Sequence, residues 1–130
     1  MIGSARYWRE IPARYRYEAG QCTKCGRIWF PARLVCGKCR NRTFEKVTLP
    51  GDGTIETFTV IRVAPSGFAD QSPYAVGIVK LSNGVKITAQ IVDCDLGRLA
   101  IGDRVRLEFR KLHQDGESGI LCYGYKFVPA

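Results

Sequence analysis

The sequence predicts a mostly β chain in which short N-terminal helices lead into a zinc ribbon and then a five-stranded barrel of the OB type. Three observations carry that expectation. Two Cys-x-x-Cys pairs, Cys22-Thr23-Lys24-Cys25 and Cys36-Gly37-Lys38-Cys39, are separated by ten residues, a spacing that lets one tetrahedral ion collect four thiolates. From Gly53 onward, β-branched and alternating runs are punctuated by turn residues. Among them Ser82-Asn83-Gly84 is an Asn-Gly hairpin signal between two such runs. The expected boundaries are a helical segment at 1–19, the ribbon at 20–50 and the barrel at 51–130.

The first element spans residues 4–18, with Ser4 as its N-cap. Pro12 is expected to break or restart it, and Gly20 to end it. Tyr7, Trp8, Ile11 and Tyr15 fall on one broad aromatic face. A helix this short needs a surface to lie on. That surface is either the chain's own barrel or a partner protein.

In the ribbon, each Cys pair forms a knuckle whose sulfurs point the same way. Gly26 and Gly37 are expected to supply positive φ. Residues 27–35 are long enough for one hairpin arm and its return, and residues 40–50 lead out. Zinc is weighed first. An iron centre of rubredoxin type uses the same ligands, and two disulfides would need an oxidising compartment. With four protein ligands the site is closed, so its metal is structural rather than catalytic.

The barrel strands are expected at 54–64, 74–81, 85–92, 104–111 and 120–128. The first bears apolar residues on both faces (Ile55, Ile61 and Val63 on one, Phe58 and Val60 on the other), which suits a long strand that bends midway. Residues 65–73 form a loop, residues 93–99 a connector with one helical turn, and residues 114–119 a polar loop. All-β sandwiches usually need about seven strands and fit less well.

Charge narrows the function classes. The 130 residues carry a net charge of +8, and all of it lies in residues 1–50, with 11 Lys+Arg against 3 Asp+Glu; the remainder has 9 of each. A basic front end suits a polyanionic partner, although solvated surface charge gives the same pattern. No run of 18 apolar residues occurs, so no membrane-spanning helix is expected. The N-terminus lacks an apolar signal region, which makes the cytoplasm the expected location. Catalysis is disfavoured. The sole His113 has no placed nucleophile, and Asp93 and Asp95 flank Cys94, raising its thiol pKa against reactivity. Cys94 and Cys122 are read as small buried hydrophobes.

Several short motifs then add up. Gly20-Gln21-Cys22-Thr23-Lys24-Cys25-Gly26, Trp29-Phe30-Pro31-Ala32-Arg33 and Cys36-Gly37-Lys38-Cys39 are followed by Gly53-x-Ile55, Pro73-Tyr74-Ala75-Val76, Leu81-Ser82-Asn83-Gly84 and Ile101-Gly102-Asp103-x-Val105. Together they resemble the family of small proteins with an N-terminal helix, a rubredoxin-like zinc ribbon and an OB-fold, long catalogued as a domain of unknown function. Gly37 departs from the commoner Cys-Pro-x-Cys of that family. The resemblance implies a non-catalytic scaffold that binds acetoacetyl-CoA thiolase and 3-hydroxy-3-methylglutaryl-CoA (HMG-CoA) synthase, or related acyl-CoA enzymes. It would couple their reactions in the mevalonate route to isoprenoids. Structural zinc would sit on Cys22, Cys25, Cys36 and Cys39.

On that reading Tyr7, Trp8, Ile11 and Tyr15 dock on the enzyme, since aromatics are enriched at interface cores. Coenzyme A held by the partner would touch Arg27, Arg33, Lys38 or Arg40 through its phosphates. The alternative is a single-stranded nucleic-acid-binding module, which calls for a basic groove with exposed aromatics on the barrel. The barrel half is neutral, and Phe58, Tyr123, Tyr125 and Phe127 read as core, so nucleic acid is disfavoured.

Overall fold

The computed structural model describes residues 4–66, 68–114 and 121–130, with the backbone alone at Ser4, His113 and Gln114. The loop expected at 114–119 and the first residue of the strand expected at 120 lie outside the described residues except for Gln114. So do the cap role of Ser4 and the side chain of His113.

Helix α1 runs Ser4–Arg16 as one element, with Pro12 inside it. Two short helices were expected because proline removes the hydrogen bond to the Trp8 carbonyl. Contacts on either side of Pro12 hold the helix together: Tyr7 and Tyr15 both anchor on the barrel, described below. Tyr17 takes the left-handed conformation (φ 55°) and turns the chain into β1 (Glu18–Cys22). The helix therefore ends at Arg16, and Gly20 lies within a strand, opposite Trp29 and Lys46.

β1 is the centre of a three-stranded antiparallel sheet in the order β2-β1-β3, with β2 at Ile28–Trp29 and β3 at Phe44–Thr48. Residues 44–48, expected only to lead away, thus return to pair along all of β1. β1 and β3 were illegible as strands because neither Glu-Ala-Gly-Gln-Cys nor Phe-Glu-Lys-Val-Thr alternates cleanly.

The barrel consists of β4 (Asp52–Ile61), β5 (Tyr74–Leu81), β6 (Lys86–Ile91), β7 (Arg104–Gln114) and β8 (Leu121–Pro129), closed in the order β4-β5-β6-β8-β7. β7 returns to β4 through pairs such as Gly53 with Val105, and β6 meets β8 in parallel at Ile91 and Phe127. This is the expected five-strand OB arrangement. β4 bends at a bulge between Ile55 and Thr57. The extra residue, Glu56, changes which parity points inward: Ile55 before it is buried, and Phe58 after it packs on the same core. The connector at 93–99 holds hydrogen-bonded turns rather than a helical turn, with Asp95 Oδ1 accepting from the Gly97 N–H at 3.0 Å.

Phe127, Ile55, Val79, Ile91 and Val105 fill the barrel, and Ala19 and Leu49 from the ribbon belong to the same buried cluster. Ribbon and barrel are further joined by the Leu49 N–H donating to the Tyr17 carbonyl at 2.9 Å and by Tyr17 and Phe30 packing on Tyr125. Gly77 lets two barrel strands close, since a Cβ there would lie 2.7 Å from Ile91 Cδ1 and 3.0 Å from the Thr57 carbonyl oxygen.

Candidate metal centre and docking surfaces

The two knuckles are copies of one turn. Gly26 N–H donates to the Cys22 carbonyl at 3.0 Å, and Arg40 N–H to the Cys36 carbonyl at 2.9 Å. Cys22 N–H donates to the Arg27 carbonyl at 2.9 Å, and Cys36 N–H to the Asn41 carbonyl at 2.8 Å. Both turns need a left-handed residue after the second cysteine, filled by Gly26 (φ 78°) and by Arg40 (φ 63°). Positive φ was expected at Gly37, inside the second pair, but belongs to Arg40. Gly37 serves space instead: a Cβ there would lie 3.0 Å from Trp29 Cη2.

The turns bring the Sγ atoms of Cys22, Cys25, Cys36 and Cys39 within 4.8 Å of one another. Cys22 lies 3.4 Å from Cys39 and Cys25 lies 3.6 Å from Cys36, with all four thiols free. Tetrahedral zinc with bonds of about 2.3 Å places its sulfurs about 3.8 Å apart. The four sulfurs fit that ion, and they are too far apart for the two disulfides weighed from sequence. Such a centre cross-links the two knuckles and offers no open position.

The surroundings favour thiolate at Cys22 and Cys36 but not at Cys39, which is raised to about 11: the Asn41 N–H lowers it, and burial with the neighbouring Cys22, Cys36 and Cys25 outweighs that. The Cys22 pKa is lowered to about 5, first by the Cys25 N–H and also by the Asn41 amide. Cys36 is lowered to about 7, first by the Cys39 N–H, with the Trp29 indole also contributing. That indole N–H is buried and has no hydrogen-bond partner among the described residues. Asn41 was missed in the sequence; its Nδ2 reaches Cys22 Sγ at 3.5 Å, Thr23 Oγ1 at 3.0 Å and the Thr43 carbonyl at 3.0 Å, holding the first knuckle to the start of β3. No spacing rule points to it.

The aromatic face of α1 divides. Tyr7 is buried and Tyr15 packs edge-on against Phe109 with centroids 4.9 Å apart. The two tyrosine hydroxyls are hydrogen-bonded to each other, and Tyr7 also accepts from the Tyr123 backbone N–H. Tyr7 and Tyr15, expected at a partner interface, are spent on the chain's own barrel. Trp8 points the other way, 74 % exposed, and with Arg9, Ile11 and Pro12 lines an apolar hollow of about 350 Å³.

Arg27 and Arg33 stack over the Trp29 ring, their guanidinium carbons 4.9 and 4.3 Å from its centroid. Both line a cleft of about 600 Å³ whose far wall is the Asn83-Gly84 turn and Lys86. Lys38 and Arg40 are exposed and lie outside that cleft. Cys122 is buried and Cys94 half-buried; burial first, then Asp93 and Asp95, push the Cys94 thiol up. Among the described residues no helix is long and apolar enough to cross a membrane.

Comparison with known proteins places these features. Residues 9–45 match the family model described as the ChsH2 rubredoxin-like zinc ribbon domain, and residues 46–110 match the ChsH2 C-terminal OB-fold domain. The four-cysteine cluster is accordingly a structural zinc centre. The chain is 42 % identical over 130 residues to a DUF35 domain-containing scaffold protein of Methanothermobacter thermautotrophicus, covering 99 % of this chain and 98 % of that one. It is 31 % identical to the benzoylsuccinyl-CoA thiolase subunit BbsA of Thauera aromatica, over 91 % of this chain and 81 % of the relative. Among solved structures, the Ltp2-ChsH2(DUF35) aldolase superposes with a TM-score of 0.75 at 23 % identity, covering 99 % of this chain and 96 % of that one. At that identity the likeness speaks for the fold alone.

Proposed function

The chain belongs to the DUF35 family of ChsH2-type zinc ribbon and OB-fold proteins, and from that premise we propose that it is a non-catalytic accessory subunit of an acyl-CoA enzyme complex. Its partners are a thiolase and HMG-CoA synthase, or related thiolase-fold enzymes, and it couples their reactions in the mevalonate pathway in the cytoplasm. The carrying observation is the outward face of α1. Trp8 is a large ring left exposed beside an apolar hollow, on a helix whose other face is fixed to the barrel. Exposed apolar surface of this kind, with a basic rim at Arg9, suits a partner surface that is apolar with acidic edges.

The relatives support this reading through their descriptions, a scaffold protein in one case and a thiolase subunit in another. So does the chemistry of the chain, because its assembled thiol cluster is closed. In this assignment the outward face of α1, within the segment expected at 1–19, docks; the ribbon expected at 20–50 begins with β1 at Glu18, residues 51–130 form the barrel, and coenzyme A held by the partner meets Arg27 and Arg33. A nucleic-acid role would draw on free ring faces on the barrel. The rings of Tyr123 and Tyr125 are instead engaged by Phe109, Tyr17 and Phe30.

The test is purification of the untagged protein from its own cells. Recovery with a thiolase-fold enzyme in fixed ratio is the expected result. Recovery as a free monomer that shifts an RNA probe at physiological salt would sink the assignment.

A further inference from the structure

We propose that the cleft between the ribbon and the β5–β6 hairpin binds a phosphate-bearing small molecule, held by Arg27, Arg33 and Lys86. The cleft measures about 600 Å³, within the usual range for small-molecule sites of about 300–1,000 Å³. Its two walls come from different parts of the chain, the ribbon supplying both arginines and the barrel supplying Lys86 beside the Asn83-Gly84 turn. Three cations converge there, and among the described residues no carboxylate pairs with Arg27 or Arg33.

The arginines are prearranged. The guanidinium carbons of both lie over the Trp29 ring, 4.9 and 4.3 Å from its centroid, so one indole gathers two groups whose planar N–H forks suit phosphate oxygens. Trp29 in turn is backed by Gly37, where any side chain would press on the indole. One carboxylate does not balance three cations; a phosphomonoester dianion or a diphosphate comes closer.

The zinc centre is a competing claimant on this charge, since four thiolates on zinc carry about −2. It explains Arg27 and Arg33 but not Lys86, which stands on the opposite wall. Lys86 has a local counter-charge in Glu56, 2.9 Å away at the β4 bulge. Glu56 therefore competes with the ligand for Lys86. The proposal deepens the coenzyme contact assigned above to Arg27 and Arg33, but it describes the free chain and needs no partner enzyme. Failure of co-purification leaves it standing, and failure of ligand binding leaves the docking face standing.

The test uses the zinc-loaded full chain carrying Trp8→Phe, which leaves Trp29 as the sole indole. Inorganic pyrophosphate is titrated while Trp29 fluorescence is followed. A saturable change is expected. Lys86→Gln and Arg33→Gln should each weaken binding roughly tenfold with zinc content unchanged, and Glu56→Gln should strengthen it. A nucleoside 3′,5′-bisphosphate compared with a nucleoside 5′-diphosphate separates a coenzyme's nucleotide end from a free nucleotide. No saturable change up to about 10 mM pyrophosphate, far above the affinity expected of three converging cations, overturns the proposal. So does unchanged affinity in Lys86→Gln, loss of zinc in step with ligand in Arg33→Gln, or tighter binding of a single-stranded RNA than of pyrophosphate.

Discussion

The phenolic oxygen of Tyr7 accepts a hydrogen bond from the backbone N–H of Tyr123 at 3.1 Å, across 116 positions of sequence. Tyr7 sits in the second turn of α1 and Tyr123 near the start of β8, so one buried hydroxyl ties the first element of the chain to the last. Tyr15 completes the arrangement by hydrogen-bonding Tyr7 and packing on Phe109, whose ring stacks on Tyr123.

Tyr7→Phe keeps the ring and removes the acceptor. The Tyr123 N–H then loses its partner under the helix, a loss of about 1–2 kcal/mol. Thermal unfolding of the zinc-loaded protein should shift down by several degrees, and amide exchange at Tyr123 should accelerate more than exchange in β5.

Tyr15 gives the same contact a pH signature. Its pKa is raised to about 12, first by the hydrogen bond with Tyr7, then by burial and by the neighbouring Tyr7, Cys122 and Tyr123. The folded state therefore holds the Tyr15 proton more tightly than the unfolded chain does. That contribution is complete below pH 10 and is lost as pH rises through 12. Stability measured from pH 9 to 12 should fall, and Tyr15→Phe should flatten the part of the slope above pH 10; an unchanged slope would discount the contact.

Cys25→Ser removes one of four sulfurs that the two knuckles hold together. Zinc stoichiometry should fall from one to near zero at micromolar protein, and the amides of β1 and β3 should lose protection. The barrel core of Phe127, Ile55 and Val79 contains none of the four cysteines, so β5 and β6 should keep theirs. Retained zinc would refute the ligand assignment.

These experiments separate what the sequence made legible from what it did not. The four metal ligands were readable because Cys-x-x-Cys spacing is local. The barrel was readable because Asn83-Gly84 and the alternation in β6 and β7 are local too. β3 was not, because its pairing with β1 rests on residues more than 20 positions away. Nor was the inward turn of Tyr7 and Tyr15: a helix pattern shows which residues share a face, not what covers that face. The cleft lay beyond the sequence for the same reason, since Lys86 and Arg33 meet only after the ribbon packs on the hairpin.

The repeated knuckle turn sets up a paired substitution. Gly26 and Arg40 occupy equivalent left-handed positions, but only Gly26 does so without a Cβ penalty. Gly26→Ala should destabilise the metallated ribbon by about 1 kcal/mol, whereas Arg40→Gly should be neutral or slightly stabilising because relieved strain offsets added chain entropy. Competition with a chelator, read as zinc retention, ranks the two variants.

Trp8→Ala distinguishes the docking face from the folding face of α1. Trp8 is 74 % exposed, so truncation removes little buried area, and alanine is a better helix former than tryptophan. Stability should stay within about 0.5 kcal/mol of the parent. If the hollow beside Ile11 and Pro12 seats a thiolase-fold enzyme, the same substitution removes its central ring, and large rings at interface centres carry about 2 kcal/mol or more. The expected outcome is a complex weakened by at least about thirtyfold with unchanged Tm and zinc content. Tyr7→Phe should show the opposite pattern, a lowered Tm with partner affinity retained at temperatures where the helix stays docked. Equal complex recovery from Trp8→Ala and the parent would move the docking surface elsewhere on the chain.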